Sequence, residues 1–178
     1  NLNFVIENIA IKIHKGQKIG VIGPSGSGKS TLVDIITGLL KPSNGDVKVD
    51  GVSIFSSKNN WQRLIAYIPQ KIFILDDTLR NNILFGADQK NYDDDYLQNI
   101  LKKTNLKNLL KRLPNGFDHK LGERGINLSV GEVQRVGIAR ALYCNPSMLV
   151  FDEATSALDG ITEGIILDAI HNLAHKKT

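Results

Sequence analysis

Residues 23–31 read Gly23-Pro24-Ser25-Gly26-Ser27-Gly28-Lys29-Ser30-Thr31. This stretch fits G-x-x-x-x-G-K-[ST], a loop whose backbone N–H groups surround the phosphates of a nucleoside triphosphate. Glycines allow the tight turn that points successive N–H groups at one anion. The spacing predicts that Lys29 reaches the β- and γ-phosphates, that Ser30 coordinates Mg²⁺ and that Thr31 bonds the α-phosphate side.

The segments on either side of this loop are those that a phosphate loop requires, a strand before it and a helix after it. Residues 18–22 form a short apolar run, which predicts a buried parallel strand. From Thr31 to Leu40, leucine and isoleucine recur at helical spacing, and Lys41-Pro42 predicts the end of the helix. The alternative is a flexible glycine–serine loop with a chance lysine, and these flanking segments argue against it.

Composition indicates one globular domain, with at most a subdomain. The chain has 178 residues, of which 42% are hydrophobic and 22% are charged. No apolar run is long enough to span a bilayer, and the single cysteine excludes an internal disulfide. The net charge of +4 comes from scattered lysines without an arginine-rich face, so nucleic acid is not expected as a partner.

Two further segments predict strands. Residues 46–52 alternate between polar and apolar side chains, which predicts a half-exposed antiparallel strand with its own turn. Residues 64–66 form a short apolar strand that is soon followed by Gln70. That glutamine is either exposed and inert or lies at the carboxyl edge of the sheet, where ligands bind in α/β folds.

The pattern becomes helical between Thr78 and Leu113, where apolar residues recur every three or four positions. Residues 93–95 are three aspartates, which favour the start of a helix over a metal site. Further on, residues 128–135 lead into another helix and put Ser129 and Gly131 at its N-terminus. A helix N-terminus attracts anions, so this is a second anion-binding device on the same chain.

Residues 147–151 predict a buried strand that ends in two acids, Asp152 and Glu153. Beside the phosphate loop, Asp152 would hold Mg²⁺ through its water shell. Glu153 would then act as a general base toward the attacking water. The alternative is that both acids end the strand and face solvent. Residues 161–173 predict a closing amphipathic helix.

Together these motifs resemble the nucleotide-binding domain of an ABC (ATP-binding cassette) transporter. The likeness covers essentially the whole sequence, in the order of the family's motifs. The phosphate loop is followed by a glutamine loop at Gln70, a signature at Leu128-Ser129-Val130-Gly131-Glu132, the Asp152-Glu153 strand end and Ala154-Thr155-Ser156-Ala157-Leu158-Asp159.

This resemblance implies an α/β fold of the P-loop NTPase kind. Its core has a mostly parallel sheet with an antiparallel β subdomain, at residues 1–70 and 146–178. An inserted helical subdomain, residues 71–145, carries the signature. By the family's usual spacing, the aromatic that stacks on adenine falls before Asn1 and the switch histidine falls beyond Thr178. We therefore expect a cassette that is truncated at both ends and is weak or inactive in isolation.

The resemblance also implies ATP and Mg²⁺ as cofactors and a second cassette as partner. Two cassettes pack head to tail, and each ATP lies between one phosphate loop and the partner's signature. Ser129 and Gly131 then bind the γ-phosphate of the opposing site, and Asp159 lines the interface. Lys29, Gln70 and Glu153 take the catalytic roles, while Ser30, Gln70 and Asp152 hold the metal.

Two signature residues depart from the family. Val130 stands where the family usually has glycine, and Glu132 stands where it has glutamine. Val130 constrains the backbone, and Glu132 puts a negative charge near an anion. Because Ser129, Gly131 and the following Gln134-Arg135 all match, we expect reduced rather than abolished activity.

Residues 122–125 and 77–83 resemble segments of exporters that lie near the transmembrane domain. Such a domain would attach this cassette to the cytoplasmic face of an inner or plasma membrane. Trp61-Gln62 and residues 76–78 are similar to cassettes of lipid-linked oligosaccharide flippases. The implied cargo is a lipid, an oligosaccharide-lipid, a peptide or a drug. The alternatives are a soluble ABC ATPase, although no room exists for its long coiled coil, and a cassette that senses ATP.

Overall fold

Six helices and four strands make up the described part of the chain, which comprises residues 6–56, 58–87, 91–122, 125, 127–152, 160, 163–164 and 178 of a computed structural model. The helices are α1 (Lys29–Ile36), α2 (Lys58–Arg63), α3 (Leu79–Ile83), α4 (Asp94–Lys103), α5 (Lys107–Arg112) and α6 (Val130–Tyr143). The strands are β1 (Lys48–Val49), β2 (Val52–Ser53), β3 (Ile65–Ile68) and β4 (Met148–Phe151). Short 3₁₀ helices lie at Ile54–Ser56 and Gly116–Asp118.

The parallel sheet joins two segments that are far apart in sequence. Strand β3 pairs with β4 in a register that runs from Ile65 opposite Met148 to Ile68 opposite Phe151. Both strands are short and apolar, as strands covered on two faces tend to be. Because the pairing is parallel, the carboxyl ends of β3 and β4 lie at the same edge of the sheet.

The antiparallel sheet is a hairpin formed by β1 and β2, with Val49 opposite Val52. Its two-residue turn is Asp50-Gly51, with φ angles of 50° and 82°. A positive φ at both central residues is the requirement of a type I′ turn, which aspartate–glycine pairs favour. The antiparallel strand with its own turn, predicted from residues 46–52, is thereby confirmed.

The hydrophobic core lies mainly in the helical region, where α6 packs against α3, α4 and β3. Its fully buried side chains are Ile68, Ile74, Leu79, Ile83, Leu84, Leu97, Ile100, Leu101, Leu106, Leu121 and Ile138. The acidic run starts a helix as predicted, because Asp93 caps α4 by accepting a hydrogen bond from Tyr96 N at 3.0 Å.

Arg80 joins three pieces of this helical region. Its guanidinium lies 2.7 Å from Asp94 and 2.9 Å from Asp118, which connects α3 to the start of α4 and to the second 3₁₀ helix. The hydrogen bond that Arg80 donates to Asp118 outweighs the cost of burial and raises the already high pKa of Arg80. The residue is therefore a permanent cation that fixes the relative positions of these elements.

Helix α1 ends earlier than its sequence pattern predicts. It stops at Ile36 because Gly38 adopts a left-handed φ of 75°, and Gly38 N and Leu39 N then donate to Ile35 O and Asp34 O at 3.1 and 2.8 Å. These bonds form a Schellman cap, so Leu39 and Leu40 lie outside the helix and are exposed. The predicted helix from Thr31 to Leu40 was therefore wrong at its C-terminal end.

The Trp61-Gln62 pair has a structural role next to this helix end. Trp61 Nε1 donates to Ile36 O at 2.9 Å, and Gln62 Nε2 donates to Gly38 O at 3.4 Å. Ile36 O is among the carbonyls that a helix leaves without intrahelical partners, and Gly38 O lies just beyond the helix end. The pair thus connects α2 to the C-terminus of α1.

The prediction of a buried strand at residues 18–22 was wrong for the described structure. These residues form neither a helix nor a strand, and Ile22 is 97% exposed. On the edge of β4 that faces away from β3, Leu149 N donates instead to Thr178 O at 2.8 Å, and Thr178 N donates to Ser147 O at 3.0 Å. These bonds occupy backbone groups on the outer edge of β4, so residues 18–22 do not pair with β4 there.

The longest of the described helices is α6, with 14 residues. A bilayer-spanning helix needs about 20 apolar residues. Within the described ranges, no helix therefore has the length and apolar character to cross a membrane. Most of the predicted closing helix, residues 161–173, lies outside those ranges; its Glu163 and Gly164 are helical.

Candidate functional site

The predicted phosphate loop is a tight turn that holds its own lysine. Gly26 and Gly28 have φ angles of 78° and 89°, a left-handed conformation that favours glycine. Ser27 N donates to Pro24 O at 3.3 Å, which closes the turn. The Nζ atom of Lys29 donates to Gly23 O and Pro24 O, both at 2.9 Å. The lysine therefore folds back over the loop that is expected to bind phosphate.

The loop leads directly into α1, whose N-cap is Gly28. Among the described residues, no side chain caps this helix end, so the N–H groups of the first turn are left to other acceptors. Residues 23–27 and Ser30 are exposed, while Thr31 is half-buried. An uncapped helix end on an exposed loop attracts anions through its N–H groups and its dipole.

The carboxyl ends of β3 and β4 bring Gln70 and Asp152 to one edge of the parallel sheet. Asp152 follows β4 directly, and its N–H donates to Ile68 O at 3.0 Å. Gln70 lies two residues beyond Ile68 and is exposed. Gln70 is thus both exposed and close to the carboxyl edge of the sheet, and its role in ligand binding stays a prediction.

Tyr67 contacts the carboxylate of Asp152. Its hydroxyl donates to Asp152 Oδ2 at 2.7 Å, although the two residues are 85 positions apart. Burial, this hydrogen bond and the negative charges of Asp152 and Asp34 together raise the pKa of Tyr67 to about 12. The hydroxyl therefore keeps its proton at neutral pH and orients one oxygen of the carboxylate.

The signature residues form the start of α6. Ser129 is its N-cap: Ser129 Oγ accepts from Glu132 N at 3.2 Å, and Glu132 Oε2 accepts from Ser129 N at 2.8 Å. This reciprocal pair is a capping box, which satisfies two N–H groups of the first turn. Ser129 and Val130 are exposed, and Gly131 is half-buried. The predicted helix N-terminus at Ser129 is confirmed.

Glu132 faces away from solvent and is paired with a cation. Its carboxylate accepts from Arg112 Nη2 through both oxygens, at 2.9 and 3.0 Å. Burial alone would raise the pKa of Glu132, but hydrogen bonds from Ser129 and Arg112 and the arginine's charge outweigh burial and lower it. The negative charge expected at the signature is therefore present, but it is held inside a capping box and neutralised by Arg112.

The segment after Gln70 packs against α6 at very short range. A Cβ atom added to Gly137 would lie 2.5 Å from Cδ1 of Ile72, so only glycine allows this approach. Arg140 of α6 donates to Phe73 O at 3.1 Å and to Asn82 O at 2.9 Å. The fully buried Asn82 side chain also accepts from Leu75 N at 2.8 Å. Residues 72–75 are thus fixed to the helical region.

The donor set predicted for Mg²⁺ consists of oxygen atoms only, a hydroxyl from Ser30, an amide from Gln70 and a carboxylate from Asp152. Mg²⁺ at phosphate sites takes one or two carboxylates and completes its octahedron with water and phosphate oxygens. In the described ranges, no group of three histidine, cysteine or acidic residues offers a separate metal cage. The donor set therefore fits a magnesium ion that is shared with phosphate.

Some predicted site residues fall outside the described part of the chain, and others were missed. Glu153 and Asp159 lie outside the described residues. Tyr67 and Arg112 were not singled out from the sequence, because each acts on a residue far along the chain. For Tyr67, the only local signal in the sequence was its position in a strand that ends near Gln70. For Arg112, the sequence contained no local signal.

Comparison with known proteins gives a consistent result. The family model described as ABC transporter matches residues 6–156. "ABC transporter B family member 14" of Arabidopsis thaliana is 38% identical over 177 residues, which cover 99% of this chain and 14% of that protein. "Heterocyst differentiation ATP-binding protein HepA" of Nostoc sp. is 37% identical over 177 residues, or 99% of this chain and 29% of that protein. The chain thus spans less than a third of either relative.

A solved structure shares the fold. It is described as a bacterial Atm1-family ABC exporter with ATP bound, and it matches with a TM-score of 0.85 and 36% sequence identity. The match covers 92% of this chain and 28% of that chain. Together with the parallel sheet, the antiparallel hairpin and the helices described above, this likeness confirms the predicted α/β fold class.

Proposed function

The chain belongs to the ABC transporter family, and we propose that it is the ATP-binding and ATP-hydrolysing domain of an exporter. The observation that carries the proposal is that one chain has two features suited to binding anions, the glycine-rich loop around Lys29 and the helix N-terminus at Ser129. A single-site nucleotidase needs only the first. A cassette that completes the site of a partner needs both.

In the proposed site, residues 23–31 bind the triphosphate. Backbone N–H groups of the loop and of the first turn of α1 donate to phosphate oxygens, and Lys29 turns its ammonium group toward the β- and γ-phosphates. Mg²⁺ supplies charge neutralisation and a fixed phosphate geometry when it is bound by Ser30, Gln70 and Asp152. Tyr67 keeps the Asp152 carboxylate oriented through its hydrogen bond.

Hydrolysis requires a water molecule in line with the bond to the γ-phosphate. Gln70 orients this water, and Glu153 accepts its proton as general base, which is the role of a carboxylate close to the attacking oxygen. Ser129 and Gly131 of a second cassette donate to the γ-phosphate from the opposite side, and Asp159 lines the interface. The catalytic unit is therefore a head-to-tail dimer.

The proposed membrane partner docks on an exposed apolar patch beside residues 72–75. Phe73 and Phe85 are both at least half exposed, and Arg140 contacts both: its guanidinium lies 5.1 Å from the ring centroid of Phe85 and donates to Phe73 O at 3.1 Å. A transmembrane domain bound there would hold the cassette at the cytoplasmic face of an inner or plasma membrane. A lipid, an oligosaccharide-lipid, a peptide or a drug remains the predicted cargo, with the flippase kind one case among these.

The test is ATP turnover by the full-length protein in lipid, with the wild type compared against Glu153→Gln. We expect the variant to lose activity by a factor of about 10² to 10⁴, the contribution typical of a general base. A matched control is Glu7→Gln, which makes the same chemical change at an exposed residue and should turn over ATP like the wild type. A panel of the four cargo classes would show which one stimulates turnover. Equal, negligible turnover in the wild type and Glu153→Gln would contradict hydrolysis and leave a cassette that only senses ATP.

A further inference from the structure

The pair between Arg112 and Glu132 connects two helices at the signature. Arg112 is the last residue of α5, and Glu132 is in the first turn of α6. The Glu132 side chain is 9% exposed, whereas that of Arg112 is 59% exposed. The carboxylate is therefore enclosed, and the cation that neutralises it reaches in from the surface.

The position of Glu132 creates an electrostatic difficulty for the proposed site. The γ-phosphate of a partner's nucleotide would bind at the N-terminus of α6, within the same helical turn as this carboxylate. In a partly buried site, two negative charges within about 10 Å of each other repel, because little water screens them. A cation in contact with the carboxylate removes most of this repulsion.

The capping box leaves one hydrogen-bond donor of the Ser129 side chain for the phosphate. Ser129 N is used by Glu132 Oε2, and Ser129 Oγ is used as an acceptor by Glu132 N. The Ser129 hydroxyl proton, in contrast, takes no part in the box. Donating that proton to an anion is therefore compatible with the cap, provided that the Glu132 carboxylate keeps its place.

We propose that Arg112 is a positioning residue of the signature: it neutralises Glu132 and holds the carboxylate in the capping box, so that Ser129 and Gly131 meet the γ-phosphate of the partner's nucleotide without repulsion. The inference rests on the proposed function, because it assumes that two cassettes close on ATP. In this chain, Glu132 is then tolerated in the signature because an arginine 20 positions earlier compensates its charge.

The test measures closure of the cassette pair in the full-length protein in lipid. All variants carry Glu153→Gln to suppress turnover, and spin labels on the two cassettes report the ATP concentration at half-closure. We expect Arg112→Gln to raise that concentration about tenfold, because an unpaired carboxylate is left beside the phosphate. Arg112→Lys keeps the charge and should recover most of the loss. Adding Glu132→Gln to Arg112→Gln should also recover most of it, since the amide oxygen still accepts from Ser129 N.

Two measurements separate positioning from simple stabilisation. Lys111→Gln removes the same charge from an exposed neighbour on α5 and should leave the half-closure concentration unchanged. The affinity of the open full-length protein for ATP, measured at ATP concentrations too low to close the cassette pair, should be the same in Arg112→Gln and in the parent. If Arg112 only stabilises the fold, the double variant with Glu132→Gln will close as poorly as Arg112→Gln, and the inference is wrong.

The same series distinguishes this inference from the proposed function. If the parent protein does not close on ATP at any concentration, the head-to-tail mechanism fails. If the parent closes and Arg112→Gln closes at the same ATP concentration, the mechanism stands and the role given to Arg112 is overturned. Equal effects of Arg112→Gln and Lys111→Gln would also overturn it, because they would show a general loss of surface charge.

Discussion

The two helices that begin at the proposed anion sites are built in opposite ways. Helix α1 starts at Gly28 without a side-chain cap among the described residues, and none of its eight residues is buried. Helix α6 starts with a capping box, and eight of its fourteen residues are buried. The phosphate loop thus relies on local backbone geometry, whereas the signature relies on packing and on ion pairs with neighbouring helices.

This difference indicates how each site keeps its shape. At the phosphate loop, left-handed glycines and the bonds of Lys29 fix the turn within a few residues, so distant substitutions should matter little. At the signature, Ser129 is held by α6, and α6 is held by α3, α4 and β3. Substitutions in the hydrophobic core should therefore disturb the structure of the signature and leave that of the phosphate loop unchanged. The following predictions test this contrast from its largest expected effect to its smallest.

The largest contrast should come from two isoleucines. Ile138 of α6 is 0% exposed, and Ile22 next to the phosphate loop is 97% exposed. Ile138→Ala should lower the free energy of unfolding by about 2–5 kcal/mol because it leaves a cavity in the core. Ile22→Ala should change it by less than about 0.5 kcal/mol. Urea unfolding of both variants measures the difference; similar losses would show that residues 18–22 are buried after all.

A smaller contrast is expected between two glycines. Gly137→Ala places a Cβ atom 2.5 Å from Ile72, and such overpacking costs about 1–3 kcal/mol, less the roughly 1 kcal/mol that alanine gains as a helix former. Gly20→Ala meets no atom within 4 Å and should be neutral to within about 0.5 kcal/mol. Thermal unfolding compares the two. Adding Ile72→Val to Gly137→Ala should restore part of the loss, and an unchanged loss would refute the assigned contact.

The smallest effect concerns pH at the signature. Because the pKa of Glu132 is lowered in the folded chain, its contribution to stability is present above the ordinary glutamate pKa of about 4.3 and is lost as the pH falls through the lower folded value. Partly exposed ion pairs contribute up to about 1 kcal/mol. Denaturant midpoints recorded from pH 6 to pH 2 should therefore fall less steeply in Glu132→Gln than in the wild type. Parallel curves would show that the pair does not contribute.

The elements that the sequence predicted well are those set by neighbouring residues. The hairpin depends on Asp50-Gly51, and the start of α4 depends on Asp93, so both follow from a few consecutive positions. The end of α1 was misplaced because Gly38 stops the helix before Lys41-Pro42 does. The glycine was a sufficient signal by itself, since left-handed glycines commonly end helices.

What the sequence could not provide was pairing between distant segments. The outer edge of β4, for example, bonds to Thr178 and not to residues 18–22. In the candidate site, Tyr67 reaches Asp152 and Arg112 reaches Glu132 across 85 and 20 positions. A single sequence gives the residue types at each end of such contacts, but the fold decides which of them meet.

The two carbonyl acceptors of Lys29 have a consequence for ligand selection. Lys29 Nζ already donates to Gly23 O and Pro24 O at 2.9 Å. The free energy that an anion gains by binding Nζ is therefore reduced by that of the two carbonyl bonds that it replaces. The attraction between the ammonium group and an anion grows with the charge of the anion, whereas a carbonyl oxygen carries only a partial charge. The exchange is therefore favourable for a highly charged triphosphate and nearly neutral for a weak anion. We therefore expect Lys29 to favour ligands of high negative charge over weakly charged ones.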